Sequence, residues 1–400
     1  MSNNEDIFGP LKRKGNLYVK YGLTGNPFPA QAIVAPSSYD FNEKIRVREL
    51  EEIRDKFLAP SLQGEAMNLW VIGPTGCGKS SMLRYIQDVI NKKFGDDCIA
   101  LYVYSPIAGV ASIYNDFVND LIKVGLADVV TSLAHKAIKQ NPDLIKKESD
   151  ESKTPRRTFK SLKEAVEAGA FDLDGAIIEI KKLLFKKFPH VEPKIVELVM
   201  EYIRNADSIS DLRNVRKADN LNTLIGLIHL IYLSGYKMIY LFIDQLEMGW
   251  GKWSRAQKDR FNIDIRELVV RTKSLISIEI TCNEDIISDF ENNFPQLLRP
   301  LPKINDRTVY VGLFNLPSVK KLIQWYLDRK RVDANFAELA PFDEEAIKEV
   351  YERTARNTEK ILSMCHGLLN YAANNNIELI TSDIVIDHST QVTVPYTEED

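Results

Sequence analysis

Short apolar runs alternate with amphipathic stretches through the first three quarters of the chain. The runs at 69–72, 99–104, 237–243, 274–280 and 308–313 have the length and composition of buried strands. Between them, apolar residues recur every three or four positions, as in 255–272, where Phe261, Ile265 and Leu268 share one face of a helix. Strands that alternate with helices in this way predict an α/β fold built on a doubly wound parallel sheet.

The same patterns divide the chain into parts. We predict an N-terminal arm at 1–41, an α/β domain at 42–314, a small all-α domain at 315–388 and a tail at 389–400. The first helix of the α/β domain starts near Asn42 and is expected to stop at Pro60, because proline lacks the N–H that the helix interior needs.

A long insertion separates the second and third predicted strands. Residues 123–217 exceed an ordinary crossover, contain helical periodicity at 177–188 and 195–203, and include a polar stretch at 140–161 that predicts a loop. The segment holds 19 basic and 15 acidic residues, whereas the whole chain holds 52 and 56. The insertion is therefore the basic part of an acidic protein, and its run 153–160 is a candidate contact for a phosphate backbone.

Composition narrows the class of protein further. With 44% hydrophobic residues among 400, the chain is not disordered, and four scattered cysteines do not form a disulfide framework. The polar start, Met1 to Asp6, lacks the apolar run of a secretory signal, so we expect a cytoplasmic protein. The apolar stretch 221–243 is broken at 234–237, which predicts a buried helix followed by a strand and no membrane span.

The strongest chemical signal follows the first predicted strand. The segment Gly73–Ser80 fits G-x-x-x-x-G-K-[ST], the phosphate-binding P-loop, with a strand before it and a helix after it. Its glycines let backbone N–H groups approach phosphates, Lys79 adds a positive charge, and the Ser80 hydroxyl suits Mg²⁺. We therefore predict an ATP and Mg²⁺ site formed by Gly73, Pro74, Thr75, Gly76, Cys77, Gly78, Lys79, Ser80 and Ser81.

A second strand end supplies acidic residues for the same site. The apolar run 239–243 ends at Asp244, which we predict to be the second magnesium anchor. Hydrolysis also needs a group that activates or orients water, and two residues compete for this role. Glu247 can take a proton, whereas the Gln245 amide can only orient water, and a third interpretation places Glu247 on a helix surface.

Taken together, the P-loop, Asp244 and the helical C-terminal part resemble the AAA+ ATPases, particularly the branch of origin-recognition proteins, helicase loaders and related signalling NTPases. Two further segments are similar to that branch: 21–28 to its N-terminal arm, which passes near the adenine, and 45–50 to its arginine–glutamate helix. The resemblance implies that the all-α part is a lid domain and that ATP binds at a boundary between subunits of a homo-oligomer. It also implies roles for Asn283 as sensor 1 and for Arg299 as an arginine finger.

The chain also departs from the family pattern. Gln245 follows Asp244 where the family usually has glutamate, and Glu359 stands where it usually presents the sensor 2 arginine, with Arg356 and Lys360 as neighbouring substitutes. The residues after the lid are too few for a winged-helix domain, so origin recognition itself is not expected.

These features leave several functions open. The leading hypothesis is an ATP-dependent switch or remodeller in a DNA-related process such as replication loading, mobile-element control or phage defence, with DNA bound through 123–217. The alternative is an ATP-binding scaffold with little hydrolysis that regulates a protein partner; a small-molecule kinase is the weakest option. Trp250 and Trp253 predict either a contact loop or packing against the insertion, and His229 and His366 are expected in the core.

Overall fold

The computed structural model describes residues 16–30, 41–145, 161–204, 209–293, 307–332 and 338–392. The chain forms two compact units, a larger and a smaller one. The larger unit contains Arg48–Gly73 and Lys79–Val311. The smaller unit contains Met1–Val47, Pro74–Gly78 and Gly312–Asp400.

A five-stranded parallel sheet forms the centre of the larger unit. Its strands are β1 (Asn68–Ile72), β2 (Cys98–Val103), β3 (Met238–Ile243), β4 (Ile276–Cys282) and β5 (Thr308–Tyr310). They lie in the order β2-β3-β4-β1-β5, and every pairing is parallel. The predicted α/β fold with a parallel sheet is confirmed, and four of the five strands are almost entirely buried, as their continuous apolar runs require.

Helices connect these strands in the alternation that the sequence predicts. The first group is α1 (Val47–Ile53), α2 (Ala59–Leu62), α3 (Lys79–Lys93), α4 (Val110–Val124), α5 (Leu126–Gln140) and α6 (Leu162–Glu167). The second is α7 (Leu173–Lys187), α8 (Lys194–Met200), α9 (Ile209–Arg213), α10 (Asn220–Ser234), α11 (Leu246–Trp250), α12 (Arg255–Thr272) and α13 (Glu284–Asn293).

The insertion contributes to the main core of the larger unit. Val130 of α5, Ile180 of α7 and Val199 of α8 are buried in one hydrophobic cluster with Leu227 of α10 and Leu241 of β3. Helix α10 is almost entirely buried from Leu224 to Ser234, which agrees with apolar residues on all sides of that part of the helix. Residues 123–217 are therefore not a detachable appendage, and removing them would expose the core.

The helix that precedes β1 continues past Pro60, so the predicted end at Pro60 is wrong. Between α1 and α2, residues Arg54–Leu58 form a π turn in which the Ala59 amide donates to the Arg54 carbonyl. The wider turn accommodates the proline, which has no N–H to give, and α2 then ends at Leu62.

The smaller unit is helical and has its own core. It contains α14 (Leu316–Asp328), α15 (Glu344–Arg353), α16 (Thr358–Asn374) and α17 (Ser382–Val392). Tyr21, Leu23 and Phe28 from the arm are buried in the same cluster as residues of these helices. The arm is thus part of this core, a role that its glycines and prolines did not indicate.

The apolar stretch 221–243 is divided as predicted. Helix α10 ends at Ser234, Gly235 follows with a φ of 137°, and β3 begins at Met238. Within the described ranges, no helix has both the length and the hydropathy needed to cross a membrane.

Candidate phosphate-binding site

The turn after β1 has the backbone conformation of a phosphate cradle. Gly76 and Gly78 adopt φ values of 76° and 98°, in the left-handed region that residues with a Cβ rarely occupy. The Gly73 amide donates to the Cys282 carbonyl at the end of β4, and α3 begins at Lys79. The turn therefore ends at a helix N-terminus, where backbone N–H groups and the helix dipole favour an anion.

Lys79 is held inside the larger unit with only 6% of its surface exposed. Its Nζ donates to the Gly73 carbonyl at 2.6 Å and lies 3.5 Å from Oδ1 of Asn283. The structure thus places the predicted sensor residue beside the predicted phosphate lysine, although the two are 204 positions apart in the chain.

Asp244 follows β3 and is completely buried. Its Oδ1 accepts from the Gln245 amide at 2.9 Å and from the Thr281 hydroxyl, and its Oδ2 accepts from the Tyr102 hydroxyl. Burial, followed by the neighbouring Asp244 charge, strongly raises the pKa of Tyr102, so this phenol remains a donor. Tyr102 and Thr281 orient the carboxylate, and no sequence motif signalled either residue.

Glu247 lies in the first turn of α11 and is half-buried. Among the described residues, no hydrogen-bond partner reaches its buried Oε2. Burial raises the pKa of this carboxyl and the Asp244 charge raises it further, whereas its own backbone amide and Lys79 act in the opposite direction. The surface-helix interpretation is wrong for Glu247, because a solvated glutamate would have neither feature.

Gln245 has an unusual backbone for its residue type. Its φ of 51° and ψ of 47° place it in the left-handed region, and its amide donates to both Asp244 Oδ1 and the Thr281 hydroxyl. This conformation turns the chain sharply from β3 into α11 and brings Glu247 to the sheet edge where Asp244 stands. The choice between Glu247 and Gln245 as the water-orienting group stays a prediction.

The donor set fits a hard divalent cation. The Ser80 hydroxyl in the first turn of α3 and the Asp244 carboxylate offer oxygen, which Mg²⁺ prefers. A carboxylate oxygen has two lone pairs, so the bond from Tyr102 leaves Oδ2 of Asp244 able to accept again. Ser81 also lies in this first turn, half-buried.

A second buried acid lies behind this site. Glu279 in the middle of β4 is fully buried, and within the described part of the chain neither of its carboxylate oxygens has a hydrogen-bond partner. Burial, with a smaller contribution from Asp244, raises the pKa of Glu279 to about 8. The sequence did not indicate a buried acid at this position, because the residues around Glu279 have the apolar pattern of an ordinary core strand.

Several other predicted residues lie elsewhere. Arg299 and the basic run 153–160 are outside the described residues. Glu359 and Lys360 are exposed at the start of α16, and the Arg356 guanidinium lies 5.5 Å from the ring centre of Tyr351. The sensor 2 position therefore stays without an assigned residue.

The tryptophan pair is not an exposed contact loop. Trp250 and Trp253 are 1% and 9% exposed and pack against Phe290 of α13 and Phe261 of α12, with ring centres 4.2 and 4.9 Å apart. Their indole N–H groups donate to Asp289 and to the Ile107 carbonyl, both at 2.6 Å. The prediction of base or partner stacking is wrong.

Of the two histidines predicted to lie in the core, one is buried there and the other is not. His229 is buried in the core, as expected, and its Nδ1 donates to the Ile225 carbonyl at 2.7 Å. His366 is half-exposed, and its Nδ1 donates to the Phe28 carbonyl. His366 therefore anchors the N-terminal arm and is not a core residue.

Comparison with known proteins gives similarity in structure only. No family model and no curated sequence matches the chain. Among solved structures, the ORC2 protein of Aeropyrum pernix, in ADPNP–ADP complexes, superposes with a TM-score of 0.53 at 9% identity, over 92% of this chain and 72% of that one.

Two other solved structures superpose less well. The ORC1 protein of Aeropyrum pernix in complex with DNA has a TM-score of 0.46 at 12% identity, over 90% of this chain and 68% of that one. Cdc6p of Pyrobaculum aerophilum has a TM-score of 0.44 at 9% identity, over 90% and 70%. The first superposition, the strand order and the P-loop conformation together show that this chain has an AAA+ fold, similar to that of the ORC2 protein.

Proposed function

We propose that the protein is an AAA+ ATPase that binds Mg-ATP at the turn 73–80 and hydrolyses it to switch or remodel a partner. The observation that carries this proposal is the grouping of Lys79, Asn283, Asp244 and Glu247 at the ends of β1, β3 and β4. A phosphate-binding lysine, a metal-binding carboxylate and an acidic side chain that can take a proton from water are groups that catalyse phosphoryl transfer to water.

Each residue has a distinct task in this proposal. The turn and Lys79 bind the phosphates, and Ser80 and Asp244 would hold the magnesium ion, which neutralises charge on the phosphate oxygens. Glu247 accepts a proton from the attacking water, and because burial raises its pKa, its carboxylate is a stronger base than a solvated one. Asn283 positions Lys79 and water near the terminal phosphate.

Nucleotide binding has independent support. The Aeropyrum pernix ORC2 structure, whose fold this chain shares, contains ADPNP and ADP. At 9% identity this similarity extends to the fold and not to the activity. The proposal that this protein hydrolyses ATP therefore rests on the side chains of its own site.

Phosphate release from ATP tests the proposal. The wild type should release phosphate in a magnesium-dependent reaction, and Asp244→Asn should abolish it while the melting temperature stays within a few degrees. Asp259→Asn, at an exposed position of α12, is the matched control and should leave the rate unchanged. A wild type that binds ATP and releases no phosphate would support the alternative, an ATP-binding scaffold that regulates a protein partner.

DNA is the partner that we propose for the basic insertion. Helix α7 exposes Ile178, Lys182, Phe185 and Lys186, spaced so that they follow one side of the helix. Lysines can contact phosphates while an exposed aromatic ring stacks on a base. Lys182 already pairs with Glu179, so Lys186 and Phe185 are the stronger candidates.

Point substitutions test the DNA surface without opening the core. Lys186→Glu combined with Phe185→Ser should weaken binding to single-stranded DNA about tenfold at low salt and reduce the dependence of binding on salt. Lys348→Glu, on the exposed side of α15, is the control. Equal affinity of both variants and the wild type would remove α7 as the DNA contact.

The proposed assembly is a homo-oligomer in which Arg299 reaches a neighbouring subunit. The resemblance to AAA+ proteins supports this assembly.

A further inference from the structure

Two side chains of the smaller unit hold the phosphate-binding turn from outside. Asn357, immediately before α16, donates from Nδ2 to the Thr75 carbonyl at 2.8 Å. Arg46 donates from Nη2 to the Cys77 carbonyl at 2.7 Å and to the Gly312 carbonyl at 2.8 Å. All of these residues belong to one compact unit.

The direction of the two carbonyls determines the direction of two amides. In a trans peptide, the carbonyl of one residue and the N–H of the next point to opposite sides. Fixing the Thr75 carbonyl therefore fixes the N–H of Gly76, and fixing the Cys77 carbonyl fixes the N–H of Gly78. Both amides point away from the residues that hold the carbonyls.

Both holding residues are themselves restrained. Oδ1 of Asn357 accepts from the Lys360 amide at 3.1 Å and so caps α16, which leaves Nδ2 aimed at the turn. Arg46 is 6% exposed, and its guanidinium lies 3.8 Å from the ring centre of Phe314. Neither side chain can swing away without losing a second contact.

The turn has no room for a side chain at Gly76. A Cβ added to Gly76 would lie 2.8 Å from Cγ of Asn357. Gly76 is therefore glycine for two reasons, its left-handed φ and the close approach of the Asn357 amide.

From this geometry we propose that Asn357 and Arg46 are positioning residues, which preset the amides of Gly76 and Gly78 to receive the phosphates of a nucleotide. The inference rests on the proposed nucleotide site and adds the two groups that hold it ready. Successive amides that converge in this way form an anion-binding nest, and holding them in advance removes the cost of ordering the loop on binding. Asn357 also connects the phosphate-binding turn directly to the N-terminus of the lid helix α16.

Asn357→Asp separates positioning from helix capping. Aspartate caps helices as well as asparagine does, so α16 keeps its N-cap, but the carboxylate cannot donate to the Thr75 carbonyl. Asn315→Asp is the matched control, because Asn315 caps α14 of the same unit by accepting from the Ser318 amide. Arg46→Lys tests the second contact, with Arg48→Lys, 88% exposed, as its control.

Hydrogen exchange in the nucleotide-free protein is the first measurement. The account predicts faster exchange in 73–80 for Asn357→Asp and Arg46→Lys, with exchange at the start of α16 unchanged. Faster exchange in α16 with an unchanged turn would mean that Asn357 is only a cap, and would overturn the inference.

Calorimetric titration with ADP is the second measurement. Losing one hydrogen bond that orders the turn should weaken ADP binding about five- to tenfold in each variant, while both controls bind like the wild type. Variants that bind ADP within twofold of the wild type would contradict the inference. A wild type that does not bind ADP would defeat the proposed function instead, and the exchange result would still show whether the two residues hold the turn.

Discussion

At the scale of single residues, the site combines a motif that can be recognised in the sequence with side chains that hold the motif in place and that no sequence motif indicates. The P-loop and Asp244 are visible because glycine spacing and an acid after an apolar run are local patterns. No local pattern identifies Tyr102, Thr281 or Asn357, because each acts through a contact with a residue that is distant in the chain, by 142, 37 and 282 positions respectively. Local patterns predict what binds, and tertiary contacts determine what holds it in place.

Glu247 is expected to be the residue that activates water. Glu247→Gln should lower single-turnover ATP hydrolysis about 100-fold or more, because the amide keeps the shape and loses the ability to take a proton. Nucleotide affinity should stay within a few fold of the wild type. Glu284→Gln, an exposed position at the start of α13, should have no effect, and an unchanged rate in Glu247→Gln would shift the role to Gln245.

Glu279 should make stability depend on pH. Its pKa is about 8 in the folded protein and about 4.5 when unfolded, so the unfolded chain releases this proton first as pH rises. The free energy of unfolding should therefore fall between pH 4.5 and 8. In Glu279→Gln, which cannot ionise, this loss should be absent, giving a gain of about 4 kcal/mol at pH 8 and little change near pH 4.5.

Denaturant unfolding at the two pH values measures this difference. Equal stability of Glu279→Gln and the wild type at pH 8 would mean that Glu279 is ionised in the folded protein. That result would contradict the assignment of a neutral carboxyl behind Asp244.

At the scale of elements, periodicity predicts the strands and long helices and fails where packing is supplied by distant segments. In the insertion 123–217, periodicity predicts helices at 177–188 and 195–203 but not α5. It also does not predict that these helices lie in the central core, because a sequence pattern shows that a face is apolar and not what covers it. The sequence predicts an arm at 1–41 that is separate from the all-α domain, yet Tyr21 and Phe28 are buried among the C-terminal helices. Pro60 predicted a helix end, but the π turn before it lets the helix continue to Leu62.

The aromatic cluster behind α11 should be structural. Trp250→Ala should lower the free energy of unfolding by about 3–5 kcal/mol, because it removes a buried ring that stacks on Phe290. Met248→Ala, in the same short helix but 44% exposed, should change it by less than about 0.5 kcal/mol. Thermal or denaturant unfolding of both variants checks this, and a Trp250 variant as stable as the wild type would contradict the assignment.

At the scale of the whole molecule, the fold and its resemblance to AAA+ proteins could be predicted, and the biological partner could not. Strand alternation and the P-loop are enough to indicate the fold, since few architectures place that turn between a parallel strand and a helix. The choice of partner is determined by the surface of the protein, and a charge pattern such as that of α7 does not identify which partner binds there.

Assembly should complete the active site. Arg299→Ala should abolish ATP turnover and leave nucleotide affinity unchanged, because an arginine finger contacts the nucleotide of a neighbouring subunit. Mixing Arg299→Ala with Glu247→Gln should restore part of the activity, since some interfaces then contain both intact groups. Turnover by Arg299→Ala alone at the wild-type rate would remove the finger assignment.

The central claim is that the turn 73–80 binds a nucleotide together with magnesium. Calorimetric titration of the full chain with Mg-ATP tests it most directly, with Lys79→Ala measured beside the wild type and Lys93→Ala, at the exposed end of the same helix, as control. The account predicts saturable binding by the wild type and by Lys93→Ala, and affinity at least about tenfold weaker in Lys79→Ala. No binding by the wild type, or equal affinity in all three proteins, would contradict it.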